Sequence, residues 1–206
     1  MIEARLMQRV VEKKKQLDAL RPFPREALAR LRAFLLVNLA YNSNAIEGNT
    51  LTLQETRLVI EDGITIGGKS LREHLEAINH VAALDAVEKS ASEKQVSEAI
   101  VLYLHSLVLK GISEHYAGKY RDQNVRISGS TFVPPSFHQV PSLMHDFIAT
   151  LNEKSLVVTP VALAAFAHFK LVDVHPFLDG NGRTARLLMN LVLLQHGYPI
   201  TIIQKT

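Results

Sequence analysis

From about Pro24 the apolar positions Leu28, Leu31, Leu35 and Leu39 return every three or four residues, the spacing of one helix face, and Gly48 supplies a stop. A helix ending near Glu47 is therefore predicted. Thr52 with Glu55, Ser70 with Glu73 and Ser92 with Gln95 each have the spacing in which side chain and backbone satisfy each other at a helix start. They predict helices over roughly 53–61, 71–89 and 93–110. Helical periodicity resumes at about 140–153, and Thr159-Pro160 opens a helix to about 173. Ala162, Ala164, Ala165 and Ala167 mark that helix as tightly packed and central. A last helix, Arg183 to His196, stops at Gly197. Between Gly118 and Pro141 the pattern changes: Val125, Arg126, Ile127, Thr131, Phe132 and Val133 alternate around Gly129 and are closed by Pro134-Pro135, which reads as a β-hairpin. Such a ribbon would keep unpaired edges able to accept an extended peptide, with a plain surface hairpin as the alternative. The fold class expected is mostly α, one helical domain with one short β-hairpin.

Composition narrows this without changing it. The chain has 206 residues, 47% hydrophobic and 21% charged, which fits one globular domain and excludes disordered or fibrous classes. The absence of cysteine removes disulfides, thiolate metal sites and cysteine nucleophiles, and fits a cytoplasmic setting. A formal charge of +3 is nearly balanced, and the run Lys13-Lys14-Lys15 is flanked by Glu12 and Asp18, as on a solvated helix face. No nucleic-acid partner is expected. The start of the chain is charged and periodic, unlike a signal peptide. The charge-free stretch Leu187–Gln204 is broken by Asn190, Gln195, His196, Gly197 and Pro199, so no membrane partner is expected either.

The densest chemistry lies in His175-Pro176-Phe177-Leu178-Asp179-Gly180-Asn181-Gly182-Arg183-Thr184-Ala185-Arg186. Gly180 and Gly182 let a backbone approach an anion, and the loop opens onto a helix N-terminus, where free N–H groups and the dipole favour phosphate. Arg183 and Arg186 sit in the first turns, where cations are disfavoured unless a negative charge answers them. Asp179 is a hard oxygen ligand suited to Mg²⁺ beside substrate phosphates. His175 titrates near neutral pH and can serve as a general base. The alternative is a tight turn with a buried histidine. His74 and His80 are expected at the surface, and His105 and His168 in the core.

The string resembles the Fic family signature H-P-F-x-D/E-G-N-G-R-x-x-R at every fixed position, and Gly118-Lys119-Tyr120-Arg121 resembles the family's G-x-Y/F-R segment. The resemblance covers roughly residues 24–204 and implies transfer of AMP from ATP to a Ser, Thr or Tyr hydroxyl of a target protein. On that resemblance His175 is the base, Asp179 holds Mg²⁺, and Gly180, Asn181 and Gly182 form the anion cradle. Arg183 supports the phosphate chain and Arg186 meets the γ-phosphate. The hairpin residues would dock the target. Gly182 is replaced by lysine or a bulkier residue in relatives that phosphorylate, so the resemblance favours adenylylation. Another nucleotide donor, or a catalytically silent nucleotide-binding interaction module, are the alternatives.

Ser43-Asn44-Ala45-Ile46-Glu47-Gly48 resembles the family's inhibitory motif S/T-x-x-x-E-G/N, which would place Glu47 on Arg186 in the position of the γ-phosphate. Independently, a carboxylate in the last helical turn faces the negative end of the dipole and asks for a cationic partner, an exposed glutamate being the alternative. The resemblance divides the chain into an inhibitory helical segment, 1–50, and a catalytic core, 51–206. In some relatives the matching glutamate also aligns a water that removes AMP. The segment by which similar proteins contact adenine after Gly197-Tyr198-Pro199 has no match here. The region from Gly68 to Leu71 resembles one used by relatives for dimer contacts, with core packing as the alternative.

Overall fold

The computed structural model describes residues 4–205. Two helices, α1 (Ala4–Ala19) and α2 (Arg25–Ile46), lead into α3 (Leu53–Glu61), α4 (Leu71–Ser90) and α5 (Glu98–Val108). A long irregular segment and a short 3₁₀ turn (Phe137–Gln139) precede α6 (Val140–Lys154), α7 (Pro160–Val174) and α8 (Asn181–Gln195). Thr52 and Ser70 each close a full capping box, with Glu55 and Glu73 returning to the cap N–H. Ser92 does not cap α5. Ser97 does, accepting from the Ile100 N–H, so the helix begins five residues later than Gln95 spacing implies, at Glu98. Thr159 is the N-cap residue of α7 without a side-chain bond, and Pro160 supplies the preset first turn.

The centre of the molecule is α8 rather than α7. From Arg183 to Leu193 every α8 residue is buried, and α8 packs against α2, α4, α5 and most extensively α7. A helix covered on all sides has to be apolar all round or satisfy its polar groups internally. Leu187, Leu188, Leu191, Val192 and Leu193 do the first. Asn190 does the second, donating to the Arg186 carbonyl and bonding Thr201 in both directions through its amide. In α7, Ala164 and Ala167 are buried while Ala165 is exposed, so the small residues serve one contact face.

The hairpin is corrected by the structure. Among the described residues there is no strand: no backbone bond joins 124–127 to 131–135, and a single turn bond, Ser130 N–H to the Ile127 carbonyl, closes the bend where Gly129 has φ 74°. An isolated two-stranded ribbon is marginal, and Pro134-Pro135 removes two donors from one arm. The segment is instead held at its ends, Asn124 accepting from the Phe137 N–H and Arg121 donating to the carbonyls of Gln123 and Pro135. Arg126, Thr131, Phe132 and Val133 are exposed, and Val125 and Ile127 are half-buried.

His74 and His80 are corrected as well. Both lie on α4, which touches α2, α3, α5 and α8, and they are 7% and 2% exposed. An acidic neighbour does not mark a solvent face here, because Glu76 is buried too. No helix among the described residues is long and apolar enough to cross a membrane.

Leu171 is fully buried in α7. Leu171→Ala is expected to cost about 2–5 kcal/mol in urea unfolding; a loss below about 1 kcal/mol contradicts the assigned core.

Candidate active site

The signature loop leaves α7 through His175, the one non-glycine residue with positive φ among the described residues (φ 50°, ψ 58°). An L-residue held there costs on the order of 1–3 kcal/mol and persists only where the surroundings over-determine it. Four constraints do so. The His175 carbonyl accepts from Arg121 Nε (2.9 Å), and the Pro176 carbonyl from the Arg121 N–H (2.9 Å). The Asn181 amide brackets the Phe177 peptide, accepting from its N–H (2.9 Å) and donating to its carbonyl (2.8 Å). The Phe177 ring is buried and stacks on His105, centroids 3.6 Å apart. His105 Nδ1 accepts from the Gly118 N–H (3.0 Å), which leaves Nε2 to donate to the Asp179 carbonyl (3.0 Å). His105 therefore sits in the core as expected, and its burial pushes its pKa down to about 4. Asn181 thus works through its side chain as a clamp inside the loop.

His175 is half-buried, with Nδ1 3.3 Å from the Val172 carbonyl. Donation to that carbonyl leaves Nε2 as the acceptor. Burial lowers the imidazole pKa, helped by the Arg121 charge and opposed by the Val172 bond and Glu47, which favours the neutral ring a base requires.

Across the loop, Asp179 Oδ1 accepts from the Gly180 N–H (2.6 Å) and from Arg183 Nη2 (3.0 Å), while Oδ2 meets Arg72 Nη2 (2.5 Å). The two guanidinium groups outweigh desolvation and hold the carboxyl below its ordinary range. Arg183, 2% exposed, also lies 3.0 Å from Glu76, a buried carboxylate that additionally takes Arg72 Nε (3.1 Å) and Asn49 Nδ2 (2.9 Å). A cavity of about 430 Å³ opens among Glu47, Asn49, Arg72, Glu76, Asp179 and Arg183.

Arg186 is 6% exposed. Its Nε donates to Ser43 Oγ (2.9 Å), and its Nη2 to the Ser43 carbonyl (2.8 Å) and Glu47 Oε1 (2.7 Å). One turn of α2 thus supplies three acceptors to one cation. Gly182 makes this possible: a methyl there would lie 2.2 Å from Glu47 Oε1 and 3.1 Å from Arg186 Nη1. The Glu47 carboxylate therefore rests against the start of α8, where an anion is favoured.

Of the residues singled out in the sequence, His175, Asp179, Gly180, Asn181, Gly182, Arg183, Arg186, Ser43 and Glu47 converge here. The exposed turn at Gly129 belongs to a separate loop, tied to this one by Arg121. Sequence reasoning missed Arg72, Glu76 and Asn49. Arg72 and Glu76 were visible only as an i, i+4 ion pair on α4, a common surface pattern.

The fold thus presents a helical domain with a histidine at the end of one helix, glycines at the start of the next, and two arginines there that are each met by carboxylates of the chain itself. The Fic/DOC family profile matches residues 95–193. A Fic domain-containing signaling protein from Bacteroides thetaiotaomicron superposes with a TM-score of 0.86 at 32% identity, over 96% of this chain and 75% of that one. A fragment of Caenorhabditis elegans Fic-1 gives 0.83 at 38%, over 97% and 59%. Protein adenylyltransferase Fic of Drosophila persimilis is 38% identical over 206 residues, 99% of this chain and 40% of its own length. Protein adenylyltransferase fic-1 of C. elegans is 41% identical over 181 residues, 86% and 35%. The chain belongs to the Fic family, and it spans 35–40% of the length of these two curated relatives.

His80 is fully enclosed, beside Arg186 and Arg183, and burial with these charges pushes its pKa down to about 3. Neither His80 ring nitrogen has a hydrogen-bond partner among the described residues. Folded His80 and His105 stay neutral where the unfolded chain, with histidines near 6.5, takes up protons. Stability is therefore full above about pH 6.5 and is lost as pH falls from there toward the folded values of about 4 and about 3. Urea midpoints are expected to fall over this range, and to fall less in His80→Leu; an equal fall in both removes His80 from the account.

Proposed function

We propose that the chain is a protein adenylyltransferase that transfers AMP from ATP to a Ser, Thr or Tyr hydroxyl of a target protein, and that Glu47 restrains it. The observation that carries this reading is the convergence of His175, Asp179, Arg183 and Arg186 around a helix start at which a carboxylate of the chain itself already rests. The names of the curated relatives point the same way.

In this reading His175 Nε2 takes the proton of the incoming hydroxyl as its oxygen attacks the α-phosphorus. The bond from that phosphorus to the bridging oxygen breaks, and pyrophosphate leaves with the electron pair. The N–H groups at the start of α8 and Arg183 face the growing negative charge, so positioning and charge neutralisation supply most of the rate. Asp179 fits a Mg²⁺ ion. Its outward oxygen is drawn to a cation in the structure, and no group of three or more metal-ligand side chains converges among the described residues, so substrate oxygens and water would complete the coordination. When bound, Mg²⁺ neutralises phosphate charge. Arg186 is the partner for the γ-phosphate.

Glu47 occupies that partner. With its carboxylate on Arg186 and against Gly182, a triphosphate has to settle without its outer anchor, which leaves the α-phosphorus out of line for attack. The 124–133 segment, with exposed Phe132 and Val133 and few backbone bonds of its own, is the docking edge for the target. Self-association through the face with exposed Leu71 and Ile78 belongs to the same reading.

Transfer of label from ATP carrying the isotope on its α-phosphate, to the protein itself and to lysate proteins, tests it. Glu47→Gly is expected to label at least about tenfold faster than wild type, and His175→Ala in that background to lose about 10²-fold or more while keeping ATP binding. Equal rates for wild type and Glu47→Gly would remove the brake. Binding of ATP with no His175-dependent transfer from any labelled nucleotide would leave a nucleotide-binding interaction module.

A further inference from the structure

Arg72 has no part in the sequence signature, yet its guanidinium lies on the oxygen of Asp179 that faces away from the loop (2.5 Å). The other oxygen is already committed to the Gly180 N–H and Arg183. The outward oxygen is therefore the one left for a ligand, and an arginine is on it. The arginine is aimed rather than drifting. Its Nε is pinned to Glu76, 7% exposed, whose carboxylate is in turn held by Asn49 and approached by Arg183. At the same time 54% of the Arg72 side chain is open to solvent, and the 430 Å³ cavity beside it gives room to swing away.

We propose that Arg72 is the resident counter-ion of Asp179, a specificity-determining residue that keeps a bare divalent cation off this carboxylate and yields the position when a cation arrives together with a nucleotide. The proposal rests on the reading of Asp179 as the metal-binding carboxylate. Its physical basis is competition at one oxygen. A guanidinium and a small hard dication cannot both occupy the same lone-pair directions of Oδ2, and a positive group this close also repels a free cation. A nucleotide changes the balance, because its phosphates add negative charge and ligands for the cation while giving the released arginine somewhere to go.

Magnitude decides how strong such a gate can be. A pair with one partner half-exposed contributes about 0–1 kcal/mol, so the competition is worth up to about fivefold in cation affinity. That is enough to set an order of binding and too little to block the loaded site. Together with Glu47 on Arg186, the chain carries within itself a positive charge where the cation belongs and a negative charge where the terminal phosphate belongs.

The test is Mn²⁺ binding, read by the electron paramagnetic resonance signal of the free ion, with and without α,β-methylene-ATP. Thermal unfolding confirms that each variant is folded. Without nucleotide, Arg72→Ala is expected to bind Mn²⁺ at least about threefold tighter than wild type, a gain that disappears when Asp179→Ala is added. With the nucleotide analogue the difference should close. Lys69→Ala is the control for general charge, since its ammonium sits on Thr50 at the edge of the same cavity without touching Asp179, and it should change nothing. Equal affinity in wild type and Arg72→Ala, or binding in neither, overturns the proposal, as does an equal gain in Lys69→Ala. If Mn²⁺ binding with the analogue is indifferent to Asp179→Ala, the metal assignment itself fails and takes this proposal with it.

Discussion

A guanidinium removed from water needs its charge answered, and Arg186 is the place where this molecule meets that demand. Burial pushes its pKa down and the Glu47 bond pushes it back up. The three acceptors come from a single turn of α2, so one cation fixes the end of that helix against α8, beside the apolar packing of Leu36, Val37 and Leu39 in the shared core. The geometry around it follows. Gly182 has to lack a side chain for the carboxylate to reach, Ser43 has to sit one turn before Glu47, and α2 has to end there, at Glu47, with Gly48 in the left-handed region.

The same logic of answered charge runs through the rest of the site. Asp179 is shared by Arg183 and Arg72, and Glu76 by Arg72, Arg183 and Asn49, so charges alternate along the loop and α4. Without nucleotide the site is neutralised by its own side chains. On the proposed function, a Mg-ATP complex would bring the same two signs of charge from outside, and binding would be an exchange of partners rather than a burial of bare ions. Exchange of this kind is cheap in net free energy, which suits the proposed restraint by Glu47 and its release.

Much of this was legible in the sequence because it is local. The loop from His175 to Arg186 carries its chemistry in consecutive residues, and the 43–48 turn carries the opposing carboxylate at helical spacing. Helix starts at Leu53 and Leu71 follow from capping boxes that the structure closes. What was not legible depends on tertiary context. Ser92 has the spacing of a cap but Ser97 is the cap, and the residue before it, Val96, has both backbone groups held by the Asn152 amide from α6. The 125–133 alternation has the period of a ribbon, yet among the described residues no strand pairs with it, and Arg121 fixes its ends through carbonyls that no pattern reveals. His80 looked exposed next to Glu76 because the sequence does not show that α4 is covered on several sides.

The proposed restraint requires that Glu47 and a terminal phosphate compete for Arg186. Crystal structures of wild type and Glu47→Gly with a non-hydrolysable ATP analogue test it directly. Arg186 is expected on the γ-phosphate in Glu47→Gly, and still on Glu47 in wild type with the triphosphate displaced. Arg186 bound to the γ-phosphate in wild type with the Glu47 pair intact, or to the phosphate in neither protein, would contradict it.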